Sequence, residues 1–147
     1  MTCRCRSNTT ISSPGGGSSG GLLVAEFPIT LLMLQALGSV VEDDVNAATN
    51  LPDGAQVVAW EINVSEPLAG PGLASSSGET TTDVDATPGS VIGAVDLMAG
   101  GTSGPTGTKL YFSRGGQNPS IHITNVGCFF ADLTAGAFTI RALYNQG

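Results

Sequence analysis

Alternating apolar and polar residues restrict the fold of this chain more than any other feature of its sequence. In the run AQVVAWEINV (residues 55–64), the side chains of Val58, Trp60, Ile62 and Val64 fall on one face of an extended chain. Because side chains of a β-strand point alternately to its two faces, this period of two predicts a half-buried strand. The last apolar run, GAFTIRALY, has the same period and predicts a second such strand.

The same short apolar runs, separated by Gly, Pro, Asn and Asp, continue along the chain from Leu22. Only 12% of the 147 residues are charged, about half the usual share, and 21 are glycine. These features predict an all-β domain over residues 22–147, a β-sandwich with jelly-roll winding as the favoured topology. Residues 66–90, rich in Gly, Ser, Thr and Pro, predict a surface excursion or a pair of weak edge strands.

The first 21 residues differ from the rest because they contain almost no large apolar side chain and end in a Gly/Ser tract. Such a segment cannot bury enough apolar surface to fix its own conformation, so we expect an extended arm. Arg4 and Arg6 can make bidentate contacts to carboxylates, and Ile11 can anchor in an apolar pocket. The arm is therefore predicted to order against a partner's surface.

The run Ile29–Leu34 is apolar on both alternate faces, which predicts a strand covered on both sides. One cover is the core of the domain, and the other is either a long loop or another subunit. In the second case Leu32 and Leu34 lie at a subunit interface. The following run SVVEDDVNAA is interpreted as a helical turn or two, and its acidic residues as a solvated face.

Charge and hydropathy exclude several partners. The net charge is −7, and two of the five basic residues lie in the arm, so the remainder would repel a nucleic-acid backbone. The apolar run before residue 38 is too short and too interrupted to cross a membrane. We therefore expect neither a nucleic acid nor a membrane as partner.

The sequence offers little chemistry for catalysis or cofactor binding. It contains no nucleophile elbow, phosphate-binding loop or paired Cys-x-x-Cys motif, and its one histidine, His122, is interpreted as a surface residue. Cys3 and Cys5 lack a second pair to complete a metal site. Asp83 and Asp85 have a spacing that suits one calcium ion, but a solvated acidic loop is favoured. We therefore expect a protein without enzymatic activity, cofactor or metal, and a small glycosidase is the enzymatic alternative.

Two segments carry a resemblance. LPDGAQVVAWEINVSEPL and FFADLTAGAFTIRALYNQG resemble small virion proteins of tailed bacteriophages, in which similar turns enter a strand. The resemblance spans residues 47–64 and 126–147, with matches at Leu51, Pro52 and Tyr144 among others. It implies a β-sandwich exposed on a capsid or fibre, commonly trimeric and without catalytic activity.

These observations favour a capsid decoration (cement) protein on the surface of the virion. It would bind the major capsid protein through the arm, and a homotrimer would multiply weak contacts. The alternative is a receptor- or glycan-binding module of a tail or head fibre, with the loops at 66–90 and 100–107 as its binding surface.

Overall fold

The computed structural model describes residues 22–82, 91–103, 111–112 and 118–146. In these ranges the chain forms strands and one short helix. The elements are β1 (Leu23–Ile29), α1 (Leu31–Gln35), β2 (Glu42–Asn46), β3 (Ala55–Ala69), β4 (Ser75–Thr82), β5 (Ile92–Asp96), β6 (Gly101–Ser103), β7 (Tyr111–Phe112), β8 (Pro119–Val126) and β9 (Ala135–Gln146). A single 3-10 turn, Phe130–Asp132, precedes β9. The arm at residues 1–21 lies outside the described residues, so the predicted domain boundary stays a prediction.

The strands form a jelly roll. One sheet has the order β1-β9-β3-β6, with β7 also paired to β3, and the other has the order β2-β8-β4-β5. The antiparallel pairs β1–β9, β2–β8, β3–β6 and β4–β5 are those of one long hairpin, and rolling it up adds the pairs β3–β9 and β4–β8. The predicted sandwich and its jelly-roll winding are confirmed.

The core lies between the two sheets, where both contribute large apolar side chains. Trp60 of β3 and Phe27 of β1 are fully buried, with ring centroids 6.3 Å apart. Ile121 and Ile123 of β8 face them from the second sheet, as the alternation of that strand requires. Each such side chain contributes about 1.5–3 kcal/mol on burial, against about 0–1 kcal/mol for an exposed ion pair. Apolar burial therefore holds the sheets together.

A bulge in β3 makes the predicted inward face of that strand wrong at Val58. The register with β9 shifts between Val57 and Ala59, so the strand places Val57 in the core and leaves Val58 half-buried. From Trp60 onward the predicted inward face is confirmed. The extra residue of a bulge reverses the inside–outside order, which a strict period of two cannot anticipate.

Strand β4 lies within its sheet, between β8 and β5, whereas the sequence predicted a surface excursion or weak edge strands for residues 66–90. Its inward residues are small or polar, namely Ser76, Gly78, Thr80 and Thr82. A Cβ at Gly78 would lie 2.5 Å from Cδ1 of Ile121, so the glycine makes room for that larger side chain. The absence of large apolar residues from β4 thus compensates for their presence on β8.

The strand predicted for Ile29–Leu34 is wrong beyond its first residue. Thr30 caps α1, its hydroxyl accepting a hydrogen bond from the Met33 amide at 3.3 Å, and the chain turns helical from Leu31. In the helix Leu34 points into the core and Leu32 points outward. The helical turns predicted after it are also wrong, because residues 42–46 form β2.

Two glycines with similar backbone conformations provide a test of packing at the end of the sandwich. Gly38 and Gly127 have φ values of +88° and +91°, a region that side chains other than glycine rarely adopt. A Cβ at Gly38 would meet nothing within 4 Å, whereas one at Gly127 would overlap the backbone oxygen of Gly72. The first substitution therefore adds backbone strain alone, and the second adds a steric clash.

We expect Gly38→Ala to lower the free energy of unfolding by about 1 kcal/mol, and Gly127→Ala to lower it by about 3 kcal/mol or more. Urea denaturation of both variants measures the difference. Equal losses would show that the contact between Gly72 and Gly127 is not tight.

Candidate assembly surfaces

A row of three charged residues crosses the outer face of the first sheet. Glu26 of β1 and Glu61 of β3 both pair in register with Arg141 of β9. The Arg141 Nε atom donates to Glu26 Oε2 at 3.1 Å, and its Nη1 lies 4.0 Å from Glu61 Oε2. Arg141 is the only lysine or arginine among the described residues. Its side chain contacts Glu26 of the edge strand β1 and lies near Glu61 of β3, on either side of its own strand β9.

The second sheet has a matching row with histidine at its centre. Asp44 of β2 and Glu79 of β4 both pair in register with His122 of β8. The ring nitrogens of His122 lie 2.7 Å from carboxylate oxygens, Nδ1 from Asp44 and Nε2 from Glu42. A carboxylate accepts hydrogen bonds, so the arrangement suits the imidazolium form, in which both nitrogens donate. Hydrogen bonds to Glu42, the larger effect, and to Asp44 raise the pKa of His122 above its ordinary value of 6.5.

One end of the sandwich is built from segments that contain no charged residue. It comprises residues 30–41, 69–74 and 125–131, and we call it the uncharged end. Backbone hydrogen bonds join its three segments: the Phe130 amide donates to Val40 O at 3.0 Å, and the Ala74 amide donates to Val126 O at 2.8 Å. Glu42 and Asp132 lie just beyond its limits in sequence.

The uncharged end also carries most of the exposed large apolar side chains. Eight such side chains are exposed among the described residues, and five lie on this end: Leu32, Val40, Val41, Val126 and Phe129. The other three, Leu22, Leu23 and Val24, lie where β1 begins. Because β1 has seven residues, these two groups lie about 20 Å apart along the sheet. Clusters of this kind are typical of surfaces that contact another protein.

The predicted site residues are only partly within reach of the structure. Arg4, Arg6 and Ile11 lie outside the described residues. Leu32 is 78% exposed and belongs to the uncharged end, so it is available to a partner. Leu34 is 0% exposed and packs in the core of its own domain, so its side chain is not available to a partner in this structure, and its place at a subunit interface stays a prediction.

Little in the described ranges points to a site for small molecules. They contain no group of three or more His, Cys, Asp and Glu residues that could hold a metal ion. A shallow cavity of about 360 Å³ lies where β4 meets β5, lined by residues such as Ser76, Val95 and Met98. Within the same ranges no helix is long and apolar enough to span a membrane. Asp83 and Asp85, weighed as calcium ligands, lie outside the described residues.

The sequence contains signals for the histidine row and for the uncharged end that the sequence analysis does not use. Glu42 and Asp44 are two residues apart, the spacing that puts both on one face of a strand, whereas the prediction for their segment is helical. The uncharged end corresponds to charge-free stretches, residues 27–41, 67–78 and 123–131. Their association is a property of the fold, because they are far apart in the chain.

Comparison with known proteins adds one structural similarity. No known protein family matches the sequence, and no curated protein sequence matches it. Among solved structures, the fold is similar to that of a chain in the capsid asymmetric unit of the cyanophage Pam1. The two share 18% sequence identity with a TM-score of 0.54, over 92% of this chain and 92% of that chain. At this identity the similarity establishes a common fold over nearly the whole of both chains.

The histidine row predicts a pH-dependent contribution to stability. Because the pKa of His122 is higher in the folded chain than in the unfolded one, its proton stabilises the fold. This contribution is complete below the unfolded pKa, near 6.5, and is lost as the pH rises through the higher folded value.

We expect His122→Gln to lower the free energy of unfolding by about 0.5–1 kcal/mol at about pH 6, and by much less at about pH 9. Arg141→Gln is the matched control, because arginine stays charged throughout this range and its loss should cost the same at both values. Chemical denaturation at the two pH values measures both. An equal penalty for His122→Gln at both would contradict the assignment.

Proposed function

We propose that this chain is a non-enzymatic structural protein of a phage particle, and more narrowly a decoration protein on the outer surface of the head. The observation that carries the proposal is the jelly-roll similarity to a chain of the Pam1 capsid asymmetric unit over 92% of both chains. The resemblance of residues 47–64 and 126–147 to small virion proteins of tailed phages points in the same direction. The two lines of support are independent in part, since one rests on topology and the other on turn motifs.

The surface chemistry supports a role in assembly rather than in catalysis. The one described histidine has both ring nitrogens bound to carboxylates, so neither is free to act as a general base. Exposed apolar side chains instead gather on the uncharged end. A protein that functions by contact with neighbouring subunits needs a surface of this kind.

The arm supplies the attachment to the major capsid protein in this proposal. The described residues contain ten carboxylates and one arginine, whereas residues 1–21 contain Arg4, Arg6 and no carboxylate. The arm is thus positively charged, which suits an acidic coat surface, although residues 104–117, with Lys109 and Arg114, carry the same charge. Ile11 adds an apolar anchor, and the glycine tract allows close approach to the coat backbone.

Oligomerisation completes the proposal, with a homotrimer as the expected assembly. Individual contacts of a short arm are weak, and three arms on one body multiply them through their effective concentration. Leu32 is the residue of the originally predicted interface that remains suited to a contact between subunits, because it is exposed.

Deletion of residues 1–20 tests the attachment. We expect the shortened chain to remain folded and to keep its oligomeric state, while its binding to capsids stripped of the native protein falls to background. Cosedimentation with the capsids measures binding, and circular dichroism confirms the fold.

The double variant Arg4→Ala/Arg6→Ala separates charge from length, and we expect it to weaken binding at least about tenfold. Binding of the deletion variant at the affinity of the full chain would contradict the role of the arm. Absence of the chain from purified particles, determined by mass spectrometry, would contradict the proposed function as a whole.

A further inference from the structure

We propose that the uncharged end is the surface through which copies of this chain bind one another. The inference deepens the proposed function, on which it rests for its setting, by placing the contact between subunits on a defined part of the fold. The occupant of this surface is a second copy of the chain.

The distribution of charge is the first argument. Ten carboxylates and one arginine lie on the described residues, so two copies that approach through their sheet faces bring like charges together. The outer face of the second sheet, for example, carries Glu42, Asp44 and Glu79 around a single histidine. The three segments of the uncharged end contain no charged residue, so a contact centred on them, with Glu42 and Asp132 at its margin, brings fewer like charges together than a contact through a sheet face.

The side chains available there are the second argument. Leu32, Val126 and Phe129 are exposed on three different structural elements, namely α1, the end of β8 and the loop that follows it. Apolar side chains in the centre of an interface, away from charged ones, are typical of contacts between identical subunits. Burial of this surface would remove most of the large apolar side chains that the described residues leave in water.

The rigidity of the end is the third argument. The Asn125 amide donates to Val41 O at 2.7 Å, and the Ala131 amide donates to Gly38 O at 3.0 Å. Gly72 and Gly127 bring two of its segments into close backbone contact. Because the backbone is already ordered in one copy, little conformational entropy is lost when a second copy binds.

The point where the arm joins the sandwich lies away from the uncharged end. The chain enters the sandwich at Leu22, beside the start of β1, whereas α1 follows the other end of the same strand. Leu22, where the described chain begins, and the uncharged end therefore lie at opposite ends of β1.

A charge introduced into the uncharged end tests the inference. Val126→Asp places a carboxylate in the proposed interface, and Leu32→Asp does so on a separate element. Val24→Asp is the matched control, because Val24 is 54% exposed, against 53% for Val126, and lies at the opposite end of β1. Sedimentation velocity of the full-length chain, without capsids and over a wide range of concentration, measures the oligomeric state.

We expect the unmodified chain and Val24→Asp to form the same oligomer, and each substitution at the uncharged end to raise the dissociation constant at least about tenfold. Circular dichroism and thermal unfolding verify the fold, and Leu32→Gln, at an exposed helical position, serves if an aspartate variant does not fold. A monomeric unmodified chain would overturn the inference, as would an oligomer that withstands both aspartates. Capsid binding is measured separately, so a failed inference leaves the arm's role intact.

Discussion

Pairing between the two ends of the described chain is the interaction on which the rest of the structure depends. Seven consecutive residues of β1, Leu23 to Ile29, pair with β9 from Tyr144 to Phe138. This pair closes the rolled hairpin, because β9 also pairs with β3 along most of its length. It places Phe27 against Trp60 and positions α1 beside the 3-10 turn at the uncharged end. Without the β1–β9 pair, the first sheet would lose its edge strand β1, and one side of the core would be left uncovered.

Each sheet also carries one basic side chain among carboxylates on its outer face, Arg141 in the first and His122 in the second. In the first sheet Arg141 bonds to Glu26 of the edge strand β1 and lies near Glu61 of β3, whereas in the second sheet both carboxylates that bind His122 belong to the edge strand β2. The two rows also differ in chemistry, because arginine keeps its charge and histidine does not. The acidic residues of β2 have a further effect, since charges on an edge strand discourage pairing with other chains. This edge is therefore poorly suited to pairing with another chain.

Sequence patterns were most reliable where a strand faces the core on one side only. The alternation of GAFTIRALY predicted the inward face of β9, and Ile140 on that face is fully buried. Prediction failed where local and tertiary signals conflict. Residues 29–34 look like a buried strand because both their alternate faces are apolar, but Thr30 caps a helix there. Strand β4 looks like a loop because its inward positions are Ser, Gly and Thr, and the bulk of Ile121 on the neighbouring strand explains the glycine at position 78.

The sequence by itself determined the all-β class, the two-layer architecture and the inward faces of most strands, because side-chain alternation is a local property of an extended chain. Tertiary structure alone decided which strands pair and in what register, since this depends on many weak contacts between distant residues. His122 is 80 residues from Glu42, and their hydrogen bond follows from the pairing of β8 with β2. The uncharged end was likewise assembled by topology, from three segments that acquire a common surface only when the hairpin is rolled.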